Sequence, residues 1–262
     1  MTPDLSELSD LVRAAGQEEL ITRFNRIGFE YKQDGSLLTE ADLAVQTRLQ
    51  QQLSEKWPQV AMLGEEMSAD RQQAIIAEGG AFWCLDPLDG TSNFAAGIPF
   101  YSISAALIAE GQPQLGVVYD PVRDECFSAA AATGAWLNGK KLDTAGLPER
   151  PLSRCSALLD FKRLAPELAS KIALGPPYAS QRSFGSVALD WCWLAAGRCQ
   201  VYLHGKQNLW DYAAGWLVLH EAGGSSSTLD GAGGFSATLQ PRSAVAATTS
   251  ALYTNWYNWL RN

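Results

Sequence analysis

The run Trp83-Cys84-Leu85-Asp86-Pro87-Leu88-Asp89-Gly90-Thr91-Ser92-Asn93-Phe94 constrains this chain more than any other stretch. Its apolar lead-in, residues 81–86, reads as a buried strand that delivers Asp86 at its end. Pro87 and Gly90 punctuate a turn that carries Asp89, and Gly90-Thr91 stands where a helix should start. Two carboxylates three residues apart on such a turn can face one site, and the Leu88 carbonyl can supply another oxygen. Magnesium takes hard oxygen ligands of this kind and keeps several waters. Backbone N–H groups of Gly90 and Thr91 at a helix N-terminus make a natural phosphate seat beside the cation. Taken alone, D-x-x-D-G-T reads equally well as an Asx-type turn with a helix cap.

The flanking pattern divides the chain. Residues 5–27 carry a helical apolar stripe interrupted by Gly16, and 36–57 read as a second helix with Thr39 as N-cap and Asp42 three residues on. A short strand then runs into Gly64-Glu65-Glu66. Strands at 100–109 and 114–120, joined by Gly111-Gln112-Pro113, and the Asn138-Gly139 turn signal predict antiparallel sheet in residues 1–145. The segment 143–153, rich in Gly, Pro and charge, reads as a boundary. Residues 146–262 then alternate strand and helix: strands at 155–159, 200–203 and 245–248, and helices at 165–173, from Ser183-Phe184-Gly185-Ser186 to Ala196, from Asp211 to Ala222, and over 249–261. The stripe of Tyr253, Trp256, Tyr257 and Leu260 on the last helix predicts core or subunit interface.

Composition narrows the chemistry. Net charge is −8, which argues against broad nucleic-acid binding, since that needs a basic surface. A phosphorylated substrate stays compatible, because bound cations reverse the local field. Five cysteines without a C-x-x-C pair read as buried reduced thiols, and two histidines are too few for a His-rich zinc site. With no signal-peptide pattern and no membrane-length apolar run, the expectation is a cytoplasmic protein without a membrane partner.

Together, Gly64-Glu65-Glu66, the Asp86–Phe94 run and Trp210-Asp211-Tyr212-Ala213-Ala214-Gly215 resemble, in order, the motifs of the inositol monophosphatase family of magnesium-dependent, lithium-sensitive phosphomonoesterases. The resemblance covers essentially the whole chain. It implies an α+β/α/β sugar-phosphatase fold of alternating helix and sheet layers, with the metals at the junction of the two halves. It also implies hydrolysis of a small-molecule phosphate ester by metal-activated water, two or three Mg2+ per site, and a homodimer.

Carried over residue by residue, the family pattern makes Glu65, Asp86, Asp89, Asp211 and the Leu88 carbonyl metal ligands. Thr91 and Asp42 would polarise the attacking water alongside Glu65, and Lys32 matches a lysine on a loop. Gly90, Gly185, Ser186, Val187 and Asp211 fall on the phosphate and substrate side. Each has an ordinary structural alternative: a helix-surface acid at Asp42, a solvated lysine at Lys32, an N-cap at Asp211. The departure is His204, where inositol-processing relatives usually carry a glutamate. There, His204 and Lys206 either cap a strand in a polar loop or read a second anionic group or a base. Arg182 and Arg198 offer weaker support for a bisphosphate. A 3′(2′),5′-bisphosphate nucleotidase, an NADP or sugar-bisphosphate phosphatase, and a regulatory protein of RNA-polymerase complexes are the alternatives that the resemblance leaves open.

Overall fold

The computed structural model describes residues 3–26, 28–31 and 37–262; Lys32 lies outside the described residues. The first helix, α1 (Leu5–Ala15), starts at Asp4, whose Oδ1 accepts from the amides of Ser6 and Glu7. It gives way to a π-helical turn over Gly16–Ile21, at the glycine that interrupts the helical stripe of residues 5–27. Any Cβ at Gly16 would stand 2.6 Å from the Tyr119 ring, so the chain changes its winding where it presses on the sheet. Strands β1 (Phe29–Tyr31) and β2 (Leu37–Thr39) form a two-stranded antiparallel ribbon. The second helix, α2 (Glu40–Lys56), begins one residue later, with Thr39 and Asp42 forming the expected capping box.

Next comes a seven-stranded sheet in the order β3 to β9: β3 (Ala61–Gly64), β4 (Phe82–Asp89), β5 (Ser102–Ala109), β6 (Gln112–Asp120), β7 (Glu125–Ala130), β8 (Gly134–Leu137) and β9 (Lys140–Leu142). Helix α3 (Ala69–Glu78) links β3 to β4, which therefore pair in parallel; every later pair is antiparallel. Short α4 (Thr91–Ala95) follows β4. A second sheet has the order β11-β10-β12-β14-β13, from β10 (Ser156–Asp160), β11 (Ser180–Arg182), β12 (Val201–Gln207), β13 (Ser225–Ser227) and β14 (Arg242–Ala247). Its helices are α5 (Pro166–Leu174), α6 (Val187–Ala195), α7 (Leu209–Glu221) and α8 (Ser250–Arg261).

Sidedness follows from which residues each element buries. Leu8, Val12, Val45 and Leu49 of α1 and α2 meet Trp83, Leu85, Ile103 and Tyr119 on one face of the large sheet. Cys84, Ala106 and Val118, on the opposite face, meet α6 and α7, which in turn cover Leu158, Tyr202 and Ala246 of the second sheet. The far face of that sheet, with Leu159, Val201 and Val245, is closed by Ile172 of α5 and by Leu252 and Trp256 of α8. The result is alternating layers, helix–sheet–helix–sheet–helix, as expected. Helices α6 and α7 are shared by both sheets, so they are apolar almost all round. Trp256 is fully buried, so the C-terminal aromatic stripe serves the core. No helix among the described residues is long and apolar enough to cross a membrane.

Candidate active site

The catalytic candidates meet where β4 ends. The pattern had Asp89 in a turn, but the strand continues to it. Asp86 pairs with Ser104 and Asp89 with Ser102, so three steps on β4 oppose two on β5. Residues three apart on a regular strand point to opposite faces. The extra residue at Pro87-Leu88 is a bulge that turns Asp89 back toward Asp86, and both line one cleft of about 800 Å³. Gly90 follows with φ +98°, and a Cβ there would meet the carbonyl oxygens of Phe100 and Gly185 at 3.1 and 3.2 Å. Asn93 locks the same junction, its Nδ2 donating to the Phe100 and Phe184 carbonyls.

Among the acids that line this cleft are the four expected ligands: Glu65 just after β3, Asp86 and Asp89 from β4, and Asp211 in the first turn of α7. Leu88, Gly90 and Thr91 lie beside them, with Gly185, Ser186 and Val187 on the opposite wall. Asp89 ties the walls together, accepting from Ser186 Oγ (2.5 Å), Ala188 N (2.7 Å) and Val187 N (3.1 Å), and so caps α6. Asp211 Oδ2 accepts from Asn208 N at 2.8 Å, so α7 starts at Leu209 rather than at Asp211. Asp86 Oδ1 accepts from Leu88 N at 3.0 Å, which holds the bulge.

Charge crowding dominates the site. Burial pushes Asp86 well above the usual carboxylate range, and the charges of Glu65, Asp89 and Asp211 push it further against the Leu88 amide. Asp89 rises from 3.8 to about 6, chiefly through burial, although the Ser186 hydroxyl and the Ala188 and Val187 amides favour its ionised form. Asp211 is raised by burial and then by Asp89. Among the described residues, no lysine or arginine forms an ion pair with Asp86, Asp89 or Asp211.

These carboxylates do not close into a ready-made cage, and no group of three or more such side chains does so among the described residues. Their chemistry nevertheless fits a hard divalent cation. The donors are all oxygen, Asp86 and Asp89 are buried, the acids repel one another, and among the described residues no lysine or arginine pairs with Asp86, Asp89 or Asp211. Softer ligands play no part, for Cys84 behind them is buried with its thiol pushed far up by burial and by Asp86.

Thr91 and Asp42 come together as expected. Thr91 Oγ lies 2.9 Å from the Leu88 carbonyl and 3.3 Å from Asp42 Oδ1. Asp42 is fully buried, and its Oδ2 accepts from the amide (2.7 Å) and the hydroxyl (2.6 Å) of Thr39. The capping box therefore also aims a carboxylate at Thr91.

His204 stands in the cleft wall beside Asp160, and Lys206 at its rim. Three further wall residues, Asp160, Asp190 and Arg163, carried no signal in the motif reading. Asp190 is a lone acid inside the apolar run Val187–Ala195, a pattern that does mark an unusual polar burial. Burial first, then the charges of Asp89 and Asp160, raise it well above the usual range. Burial works against ionisation of Asp160 too, but the His204 ring, the Lys162 amide and Arg163 outweigh it and hold the group below its ordinary value. Arg182 and Arg198 do not line the cleft; Arg198 forks onto Glu125 and lies over the Trp193 ring.

The similarity to known proteins runs the length of this architecture. The model of the "Inositol monophosphatase family" matches residues 3–260. A protein of Pasteurella multocida named Nus factor SuhB is 34% identical over 196 residues, covering 74% of this chain and 72% of that one. Inositol monophosphatase 1 of Solanum lycopersicum is 35% identical over 199 residues, covering 74% of this chain and 72% of its own. The solved structure of an IMPase from Thermotoga maritima superposes with a TM-score of 0.82 at 25% identity, covering 98% of this chain and 97% of that one. With its layered fold, its motif order and a match over nearly every residue, the chain belongs to the inositol monophosphatase family.

Proposed function

We propose that this protein is a magnesium-dependent phosphatase that hydrolyses a small-molecule phosphate monoester, in the manner of an inositol monophosphatase. The observation that carries this reading is the set of mutually repelling carboxylates Glu65, Asp86, Asp89 and Asp211, the middle two buried and the outer two half-buried, beside the Gly90-Thr91 turn in one cleft. These four and the Leu88 carbonyl are the donors that would hold Mg2+. Bound there, magnesium offsets the charge of a phosphate dianion and makes water a stronger nucleophile at neutral pH.

The chain's own residues do the positioning. Amides at Gly90 and Thr91 face the phosphate oxygens. Thr91 Oγ has one proton and two acceptor positions. Donating that proton toward Asp42 Oδ1 leaves its lone pairs to accept from the attacking water and orient it. Water attacks phosphorus in line as the ester P–O bond breaks, and the leaving alkoxide takes a proton from solvent. Asp42 is held by Thr39 and supports the Thr91 proton without touching phosphate. Cleft shape and charge supply the rate enhancement, with no phospho-enzyme.

Two alternatives have specific support. Lys162 and Lys206 at the rim form no ion pair among the described residues, which favours a substrate with a second anionic group, such as a bisphosphate nucleotide, NADP or a sugar bisphosphate. The name Nus factor on a 34%-identical relative favours a regulatory partner, which retention of the purified protein on RNA polymerase would reveal. Phosphate release from inositol 1-phosphate, adenosine 3′,5′-bisphosphate and fructose 1,6-bisphosphate, with and without Mg2+, separates the catalytic readings. Release from none of them by folded, magnesium-supplied protein would remove the phosphatase assignment for these substrates.

A further inference from the structure

We propose that Asp160, held in place by His204, reads a hydroxyl group on the alcohol part of the substrate, with Asp190 as a second acceptor. This rests on the phosphatase reading and assigns the wall of the cleft opposite the metal-binding carboxylates.

Strands β10 and β12 run parallel, and Asp160, the last residue of β10, pairs with His204 in the last register pair between the two strands. That is the position where ligands bind on parallel sheets. His204 is 4% exposed, and both ring nitrogens are spoken for. Nε2 donates to Asp160 Oδ2 at 3.1 Å, and Nδ1 accepts from Lys206 N at 3.2 Å. This pair of contacts sets the tautomer, with the proton on Nε2. The ring therefore offers no polar atom to a ligand; its effect reaches the cleft through Asp160.

Asp160 is built to stay where it is. Its Oδ1 accepts from Lys162 N at 3.0 Å, and its side chain keeps 30% exposure on the cleft wall. Each oxygen accepts one of these hydrogen bonds, Arg163 Nε stands 3.9 Å from Oδ2 as an ion-pair partner, and each oxygen retains a lone pair for a further donor. Backbone packing fixes the same turn independently. A Cβ at Gly205 would fall 1.6 Å from the Arg163 carbonyl oxygen, so the turn after Asp160 lies directly on β12. Asp190 lines the same cleft, is 7% exposed, and its Oδ1 has no hydrogen-bond partner. A buried acceptor left without a donor is costly. The hydroxyls of a polyol or sugar can donate to both acids, whereas a second phosphate cannot and would face two carboxyl groups. Lys162, Arg163 and Lys206 are exposed at the rim, where they draw an anionic ester toward a cleft with acidic walls.

The test compares two esters on the full-length protein with Mg2+: inositol 1-phosphate, and p-nitrophenyl phosphate, which has no alcohol hydroxyl. The readout is the ratio of their kcat/KM values. Losing one hydrogen bond to a charged acceptor should lower this ratio about tenfold in Asp160→Asn, through KM for the inositol ester. His204→Phe should lower it in the same direction, and His204→Gln should restore most of it, because the glutamine amide can replace the Nε2 donor. Thermal melts identify any variant that fails to fold; Asp160→Asn, being isosteric, carries the test if His204→Phe does not. An unchanged ratio in folded Asp160→Asn overturns the proposal, as does a fall seen only in Lys162→Ala or Lys206→Ala, which would indicate an anionic subsite. If the wild type hydrolyses neither ester, the phosphatase reading itself fails and takes this assignment with it. That outcome is distinct, because it appears before any variant is made.

Discussion

The crowded carboxylates of the cleft should make this protein less stable in the absence of a bound cation than its core would allow, and Asp89 puts a number on the effect. In the folded chain its carboxyl is pushed from 3.8 to about 6, mainly by burial. A group whose folded pKa is raised contributes stability that is fully present below its unfolded pKa and lost as pH rises through the folded value. The window is therefore about pH 4 to 6, and the loss is ~3 kcal/mol by neutral pH at about 1.4 kcal/mol per pH unit. Asp89→Asn removes the charge. With the asparagine oxygen in the place of Oδ2, it still accepts from both the Ser186 hydroxyl and Ala188 N, while Val187 N faces the new amide and loses its partner at about 1 kcal/mol. The net gain is about 2 kcal/mol, or roughly 4–8 °C in melting temperature for a chain of this size. Calorimetry in chelator at pH 7.5 should show the variant melting above the wild type, and at pH 4 the advantage should vanish. Saturating Mg2+ should reverse the order at pH 7.5, since the wild type gains binding energy that the variant largely lacks. A variant that melts below the wild type in chelator at pH 7.5, by an amount independent of pH, would refute the argument.

Two further predictions follow from single contacts. Thr91→Val keeps the shape but loses the hydroxyl between Leu88 and Asp42, so steady-state kinetics should show kcat falling about 100-fold or more with a smaller change in KM. Gly205→Ala places a methyl against the Arg163 carbonyl, so urea denaturation should report a loss of ~3 kcal/mol, and the variant should also lose the inositol-ester preference as the Asp160 turn lifts.

Much of this architecture is legible in the residues themselves. Thr39 and Asp42 announce the start of α2 because capping is a local interaction, and Asn138-Gly139 announces a turn that both residues enter with positive φ. The ligand candidates are legible as an ordered set of motifs, and the fold brings four distant acids into one cleft. What local reading misses depends on partners far away in sequence. The run of β4 through Pro87 to Asp89 is a bulge that exists only against β5. Pro113 looks like a turn residue yet sits inside β6, at a register irregularity opposite Ile108, while the turn is made by Glu110 and Gly111. Helix α3 escapes periodicity because it buries only Gln72 and Ile75. Asp160 and Asp190 look like ordinary acids until parallel pairing of β10 with β12 and the start of α6 set them on one wall.

The central claim is tested most directly by phosphate release from inositol 1-phosphate, measured with Mg2+, with chelator, and with added lithium, for the wild type and for folded Asp86→Asn. The account predicts release that requires magnesium, is suppressed by lithium, and falls by orders of magnitude in the variant. Turnover that persists in chelator, or that survives Asp86→Asn in a folded protein, would contradict it.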